Sequence, residues 1–267
     1  MMENEDNTFA VVTGASMGIG LSIAKELAAR RYNLVMSSLP GQCLPVLCNE
    51  IESAYMVRAL PFECDLTSEN GPESLFEFVQ SKKVKVNILV NNAGIGYEGP
   101  VEGYTCKQID NMLMLNVRAM THLTVFFTSL LKENGQSYLL NISSFGAYTP
   151  TAYKSIYLAT KSFVFYFTRA LESEFTGTNV KTCVAVPSAV RTNKNTLGRI
   201  ERNGWFSQKS ALNPGEAAAE IVTGMFKGKN VIVPGKLSRL FFNVAQFVPE
   251  GIILRLTRQI FKNYRQG

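Results

Sequence analysis

The chain has one histidine, His122, and one tryptophan in 267 residues. Its five cysteines, Cys43, Cys48, Cys64, Cys106 and Cys183, form an odd set with no CxxC pair. One histidine and scattered cysteines do not make a zinc site of the usual kind, so no metal is expected. The same scarcity excludes any Ser-His-Asp triad that does not use His122. That residue sits in an apolar helical run, where packing or capping is its expected role. The thiols read as free and mostly buried in a reducing compartment. No window of about 18 residues is free of both charges and breakers, which excludes a membrane span. The segment MMENEDNTFAVVTG has no basic region followed by a long apolar one, so it is not a signal peptide. A cytoplasmic location is expected by default.

The charge is also unevenly spread. The net charge is +6. Lys236, Arg239, Arg255, Arg258, Lys262 and Arg265 stand against Glu250 alone, so residues 236–267 hold +5 of it. A nearly neutral body argues against a nucleic-acid partner.

Short apolar runs alternate with helical stretches along the body. Strands are expected at 9–14, 32–38, 56–64, 87–94, 137–144, 180–188 and 230–235. Helices are expected at 18–31, 41–54, 70–82, 106–132, 153–176 and 214–227, the last opening at Pro214. Strict alternation implies a parallel α/β sheet of about seven strands, doubly wound, with helices on both faces. No Pro/Gly/Ser-rich linker divides it. The expected organisation is one domain over 1–235 and a basic amphipathic extension of the same domain over 236–267.

The first strand runs through Thr13 into Gly14-Ala15-Ser16-Met17-Gly18-Ile19-Gly20 and then a helix. Glycines let the backbone turn sharply and approach a pyrophosphate, and the helix N-terminus offers free N–H groups and a positive dipole end. This is the Rossmann-type arrangement for a dinucleotide. An acidic residue about 20 positions on would grip the ribose hydroxyls of NAD. Ser37, Ser38 and Leu39 stand there instead. With no carboxylate to repel a 2′-phosphate, NADP(H) is favoured over NAD(H).

Tyr157 and Lys161 are four residues apart on one predicted helix, hence on one face. A free tyrosine titrates near ~10, too high for an efficient base at neutral pH. A nearby ammonium favours the phenolate and brings the group closer to working pH.

TGxxxGIG, NNAG at Asn91–Gly94 and YxxxK at Tyr157–Lys161, in this order, resemble the short-chain dehydrogenase/reductase family over about residues 8–235. The resemblance implies an NAD(P)-dependent oxidoreductase that transfers a hydride between a nicotinamide and a ketone or secondary alcohol. It implies catalytic roles for Asn116, Ser144, Tyr157 and Lys161. Tyr157 is the acid/base, Lys161 holds the nicotinamide ribose, Ser144 hydrogen-bonds the substrate oxygen, and Asn116 supports a water relay to the lysine. Cofactor contacts are implied at Gly14, Ser16, Met17, Gly18, Ile19, Gly20, Ser38, Asp65, Leu66, Asn92, Ala93, Gly94, Tyr157, Lys161, Pro187, Val190 and Thr192. The family segment usually begins Pro-Gly, and here it begins Pro187-Ser188. A cofactor-sensing, catalytically silent relative is the alternative. Such relatives typically lose the tyrosine or lysine, and this chain keeps both.

Residues 193–213 correspond to the family's substrate lid. They offer Leu197, Ile200, Trp205 and Phe206 among Lys194, Arg199, Arg202 and Lys209. This reads either as a lid over an apolar substrate with an anionic end or as helices packed on the body. The tail carries Leu240, Phe241, Phe242, Val244, Phe247 and Val248, then Pro249-Glu250-Gly251, then Ile252, Ile253, Leu254, Leu256, Ile260 and Phe261. Two short amphipathic helices are expected. They can cover the cleft, pack on a second subunit, or contact the inner membrane surface peripherally. Lipid-like or steroid-like ketones are the implied substrates. Phe163, Phe165, Tyr166 and Phe167 give helix 153–176 more apolar surface than one buried face needs. By resemblance this implies a homodimer or homotetramer.

Overall fold

A computed structural model describes residues 8–148, 150–192, 196, 198, 200, 204–245, 247–248 and 251–255, without the side chains of 204–206. Seven parallel strands run in the order β3-β2-β1-β4-β5-β6-β7. They are β1 (Thr8–Thr13), β2 (Asn33–Ser38), β3 (Ala59–Glu63), β4 (Lys85–Asn91), β5 (Ser137–Ile142), β6 (Val180–Ala185) and β7 (Val231–Ile232). β1 lies between β2 and β4, so the winding reverses there. In such sheets a crevice opens beyond the carboxyl ends of the strands at the reversal.

Period-2 alternation assigns each strand residue to one of two cores. Ala10 and Val12 of β1 face α1 (Gly18–Ala28), α2 (Leu44–Tyr55) and α8 (Pro214–Phe226), among Ile23, Leu27, Ile51, Ile221 and Met225. Phe9 and Val11 face α3 (Gly71–Ser81), α5 (Met120–Glu133) and α6 (Ser155–Glu174), among Leu75, Val79, Leu123 and Phe127. Burial on both faces explains why β1 and β2 are buried almost throughout.

The expected helix 106–132 is helical throughout but changes type within it. It is α4 (Cys106–Leu113), a π-helical segment Met114–Ala119, and α5. Thr105 caps α4 in a reciprocal box with Gln108. A π segment has no sequence signature, so periodicity alone joins the two helices. Helical turns at Val101–Gly103, Phe145–Tyr148 and α7 (Gly204–Ser210) also lie outside the strand–helix pattern. α9 (Lys236–Ala245) is the first expected tail helix, and residues 251–255 are helical too.

All five cysteines are free. Only Cys48 and Cys183 are buried, so the expectation of mostly buried thiols does not hold. His122 is exposed on α5 with its ring edge-on to Phe126, so its apolar neighbours do not draw it into the core. Among the described residues no group of three or more metal-ligating side chains occurs, and no helix is long and apolar enough to cross a membrane.

Phe127 is fully buried and meets the Phe76 ring edge-on, with centroids 5.2 Å apart. Phe127→Ala is expected to cost about 3–5 kcal/mol, because the cavity left on α5 cannot collapse against a sheet. Urea denaturation followed by far-ultraviolet dichroism measures it.

Candidate active site

The carboxyl ends of β1, β2, β4, β5 and β6 and the first turns of α1 and α6 bring the predicted residues to one crevice. The glycine turn after β1 is built on close approach. Gly14 has φ +63°, and a Cβ there would lie 2.9 Å from Ala93 Cα. A Cβ on Gly20 would fall 2.2 Å from the Gly14 carbonyl oxygen. Neither position admits a side chain. Met17 is the N-cap of α1 and provides no side-chain hydrogen bond. The first N–H groups of that helix therefore keep their capacity for an anion. Ser16 hydrogen-bonds Gln42 across the turn.

Thr13 joins this turn to the NNAG segment. Its Oγ1 accepts from the Asn92 and Ala93 backbone N–H groups, each at 3.0 Å. Asn92 Nδ2 in turn donates to the carbonyls of Thr13 and Gly14 at 2.9 and 3.0 Å. Opposite, a Cβ on Gly18 would lie 2.9 Å from Thr192 Cγ2, so the loop after β6 closes on the glycine turn.

At the end of β2, Ser37 is fully buried and pairs with Cys64 Sγ. Ser38 Oγ donates to the Leu39 carbonyl at 3.1 Å. Asp65 is exposed, and its Oδ1 accepts from Thr67 N and Oγ1 at 2.8 and 2.7 Å. That turn shapes the loop and leaves Leu66 buried beside it.

The π segment turns Asn116 inward, where it is 1% exposed. Its Oδ1 accepts from Ile95 N at 2.9 Å, and its Nδ2 donates to Ile95 O and Thr160 Oγ1 at 2.8 and 2.9 Å. One amide thus clamps the loop after β4 to α6. Gly94 is squeezed between two of the predicted residues. A Cβ there would lie 3.0 Å from Lys161 Nζ and 3.1 Å from Asn116 Oδ1. Deeper still, Thr124, Asn91, Asn141 and Thr168 form a buried hydrogen-bonded ladder across α5, β4, β5 and α6.

Lys161 is 5% exposed, and its Nζ donates to the Ile142 carbonyl at 2.9 Å. Among the described residues no carboxylate pairs with it, and burial lowers its pKa from 10.5 to about 8. The Tyr157 ring, one turn earlier, lies against Gly96, where a Cβ would come within 2.7 Å of Cδ2. Ser144 follows β5 at the mouth of the turn Phe145–Tyr148. Two contacts bring this turn to α6. Ser143 Oγ donates to Lys161 O at 2.7 Å, and Gly146 abuts Leu158 so closely that a Cβ would sit 2.9 Å from Cδ2.

Beyond β6, Phe145 N donates to Pro187 O at 2.9 Å, and Val190 bridges Leu212 in parallel register. Where a Pro-Gly is usual, Ser188 Oγ donates to Ser210 O and accepts from Ser238 Oγ, each at 2.9 Å. Of the lid residues, Ile200 is buried and Lys209 exposed. Lys194, Leu197, Arg199, Arg202 and the side chains of Trp205 and Phe206 lie outside the described residues, as do Pro249, Glu250, Leu256, Arg258, Ile260, Phe261, Lys262 and Arg265.

Sequence reasoning missed Thr13, Thr160, Gly96, Ser188 and Ser238. Each acts through tertiary contact, and only Thr13, inside the glycine motif, carried a local signal.

The short chain dehydrogenase family profile matches residues 8–201. The ketoacyl reductase HetN of Nostoc sp. is 27% identical over 250 residues, 91% of this chain and 85% of its own length. The very-long-chain 3-oxoacyl-CoA reductase of Bos taurus is 31% identical over 203 residues, 74% of this chain. The match takes in 63% of that enzyme, so this chain spans less than two thirds of it. Among solved structures, the bulky-bulky ketone specific alcohol dehydrogenase from Comamonas testosteroni superposes with a TM-score of 0.76 at 26% identity, over 89% of this chain and 90% of that one. The uncapped glycine turn, the clamped Asn116 and the Tyr157–Lys161 helix face agree with these likenesses, and the chain belongs to the short-chain dehydrogenase family of oxidoreductases.

Proposed function

We propose that this chain reduces an apolar, lipid-like or steroid-like ketone, or oxidises the matching alcohol, with NADP(H). The observation that carries the reading is the buried Lys161, unpaired with any carboxylate among the described residues, one turn from Tyr157 at the crevice. The bound nicotinamide supplies or accepts the hydride. The chain's own residues handle the oxygen. Tyr157 exchanges the proton with the substrate oxygen, and Ser144 donates to it as negative charge develops. Lys161 holds a positive charge beside Tyr157 and the ribose. Asn116 fixes the loop between them. Gly14, Ser16, Met17, Gly18, Ile19 and Gly20 hold the pyrophosphate. Asn92, Ala93, Gly94, Asp65 and Leu66 wall the adenine side, and Pro187, Val190 and Thr192 hold the amide.

The substrate class rests on the apolar wall beside Ser144. Phe145 and Tyr148 pack on Phe242, with centroids 6.4 and 5.1 Å away. The ketoacyl and bulky-ketone substrates named for the relatives are of the same kind. NADP(H) is preferred because no carboxylate stands at the end of β2 to repel a 2′-phosphate. A homodimer or homotetramer would cover Val125, Phe163 and Tyr166, which are 63%, 41% and 62% exposed.

Tyr157→Phe is expected to fold and bind cofactor normally, while kcat falls about 10²–10⁴-fold. Nicotinamide absorbance against a panel of long-chain and steroidal ketones tests this. Near-parental turnover refutes the assignment, and silence of the parent across the panel, with cofactor bound, favours a sensor. Ser38→Asp should shift the kcat/KM ratio toward NADH by about tenfold or more, through like-charge repulsion of the 2′-phosphate. Competition between the two cofactors measures it.

Lys161 also makes apo stability depend on pH. Its folded pKa, about 8, lies below its unfolded value, 10.5. Below pH 8 both states are protonated and the burial penalty is complete. Between pH 8 and 10.5 the unfolded state holds the extra proton, so the stability of the parent rises relative to Lys161→Met, by about 3 kcal/mol over the window. Paired urea titrations across it measure the difference.

A further inference from the structure

Helix α9 is apolar on two opposed sides. Ser238 and Phe242 face the body, at 0% and 7% exposure. Leu240 and Val244 face outward, at 60% and 51%. A helix resting on a globular body needs one apolar stripe, so a second one calls for another apolar medium. Beyond the helix, Phe247 and Ile252 are apolar and exposed too, at 87% and 48%.

Charge selects the medium. Lys236 and Arg255 are exposed along this segment, Arg239 is paired with Glu220 at 2.7 Å, and Arg258, Lys262 and Arg265 follow in sequence. The cores of subunit interfaces are depleted in lysine, whereas helices lying in a lipid interface carry Lys and Arg beside their apolar face. No helix among the described residues can cross a bilayer, so the element lies along a surface.

We propose that the outward face of α9, with residues 247–248 and 251–255, docks flat on an anionic lipid membrane. Its inward face reaches the candidate site. Ser238 Oγ donates to Ser188 Oγ, which donates to Ser210 O, and Ser188 adjoins Pro187. Phe242 touches Phe145 and Tyr148, next to Ser144. A docked helix therefore holds the crevice at the lipid boundary, where apolar ketones are dissolved. This last consequence rests on the proposed substrate class, while the docking does not.

The full chain should co-sediment with vesicles of phosphatidylcholine plus phosphatidylserine at least about tenfold more strongly than with phosphatidylcholine alone, and lose that preference in high salt. The double variant Leu240→Glu, Val244→Glu should lower binding by about tenfold or more, and Phe247→Glu should do so in part. Turnover of a water-soluble ketone should stay at the parental level in all three proteins. Equal pelleting of parent and double variant, or no pelleting of the parent, overturns the proposal. So does light scattering in which the double variant splits a dimer, since the face would then be a subunit contact.

Discussion

A lysine ammonium shut into the interior of this protein sets the terms for the site around it. The Lys161 ammonium donates to the Ile142 carbonyl, and burial drives its pKa down. Burying a charge without a carboxylate is costly. The surrounding sheet must therefore be rigid enough to hold it. β5 supplies the acceptor, Ser143 fixes the backbone of Lys161 itself, and α6 is packed through Leu158, Val164 and Leu171. An anionic ligand with hydroxyls beside this ammonium would relieve the penalty, which under the proposed function would link cofactor binding to the group that assists the proton transfer.

The polar residues around the lysine are arranged for closeness. Gly14, Gly20, Gly94 and Gly96 stand where a methyl group would collide with backbone, amide, ammonium or phenol ring. Asn116 can reach the loop after β4 because the helix widens into a π segment there. The Thr124–Asn91–Asn141–Thr168 ladder joins the helices of one face to the central strands below the crevice. These hydrogen bonds lie in a low-dielectric interior, where they give geometric precision to the residues above them.

The sheet was legible because its signals are local. β1 and β2 read as apolar runs, and Gly14, Gly18 and Gly20 mark a turn whose close contacts no other residue allows. The face shared by Tyr157 and Lys161 follows from a spacing of four. The π segment, the turn Phe145–Tyr148 and the serine link Ser188–Ser210–Ser238 were not legible, since each depends on partners 22 to 97 residues away or on helix widening with no residue code. Ser37 shows the limit from the other side. It stands at the end of β2, where a ribose-gripping residue is expected, but it is fully buried against Cys64. The tail was legible as amphipathic, and only the fold shows that one of its apolar sides is already used by Phe242.

A structure of the protein with NADPH and an unreactive long-chain ketone analogue tests the central claim most directly, namely that Tyr157 and Ser144 act on one substrate oxygen beside a buried lysine. The account predicts Tyr157 Oη and Ser144 Oγ both within about 2.6–3.2 Å of that oxygen, with the Lys161 ammonium between Tyr157 and the ribose hydroxyls. A ligand oxygen held by other groups, with Tyr157 turned away from it, would contradict the account.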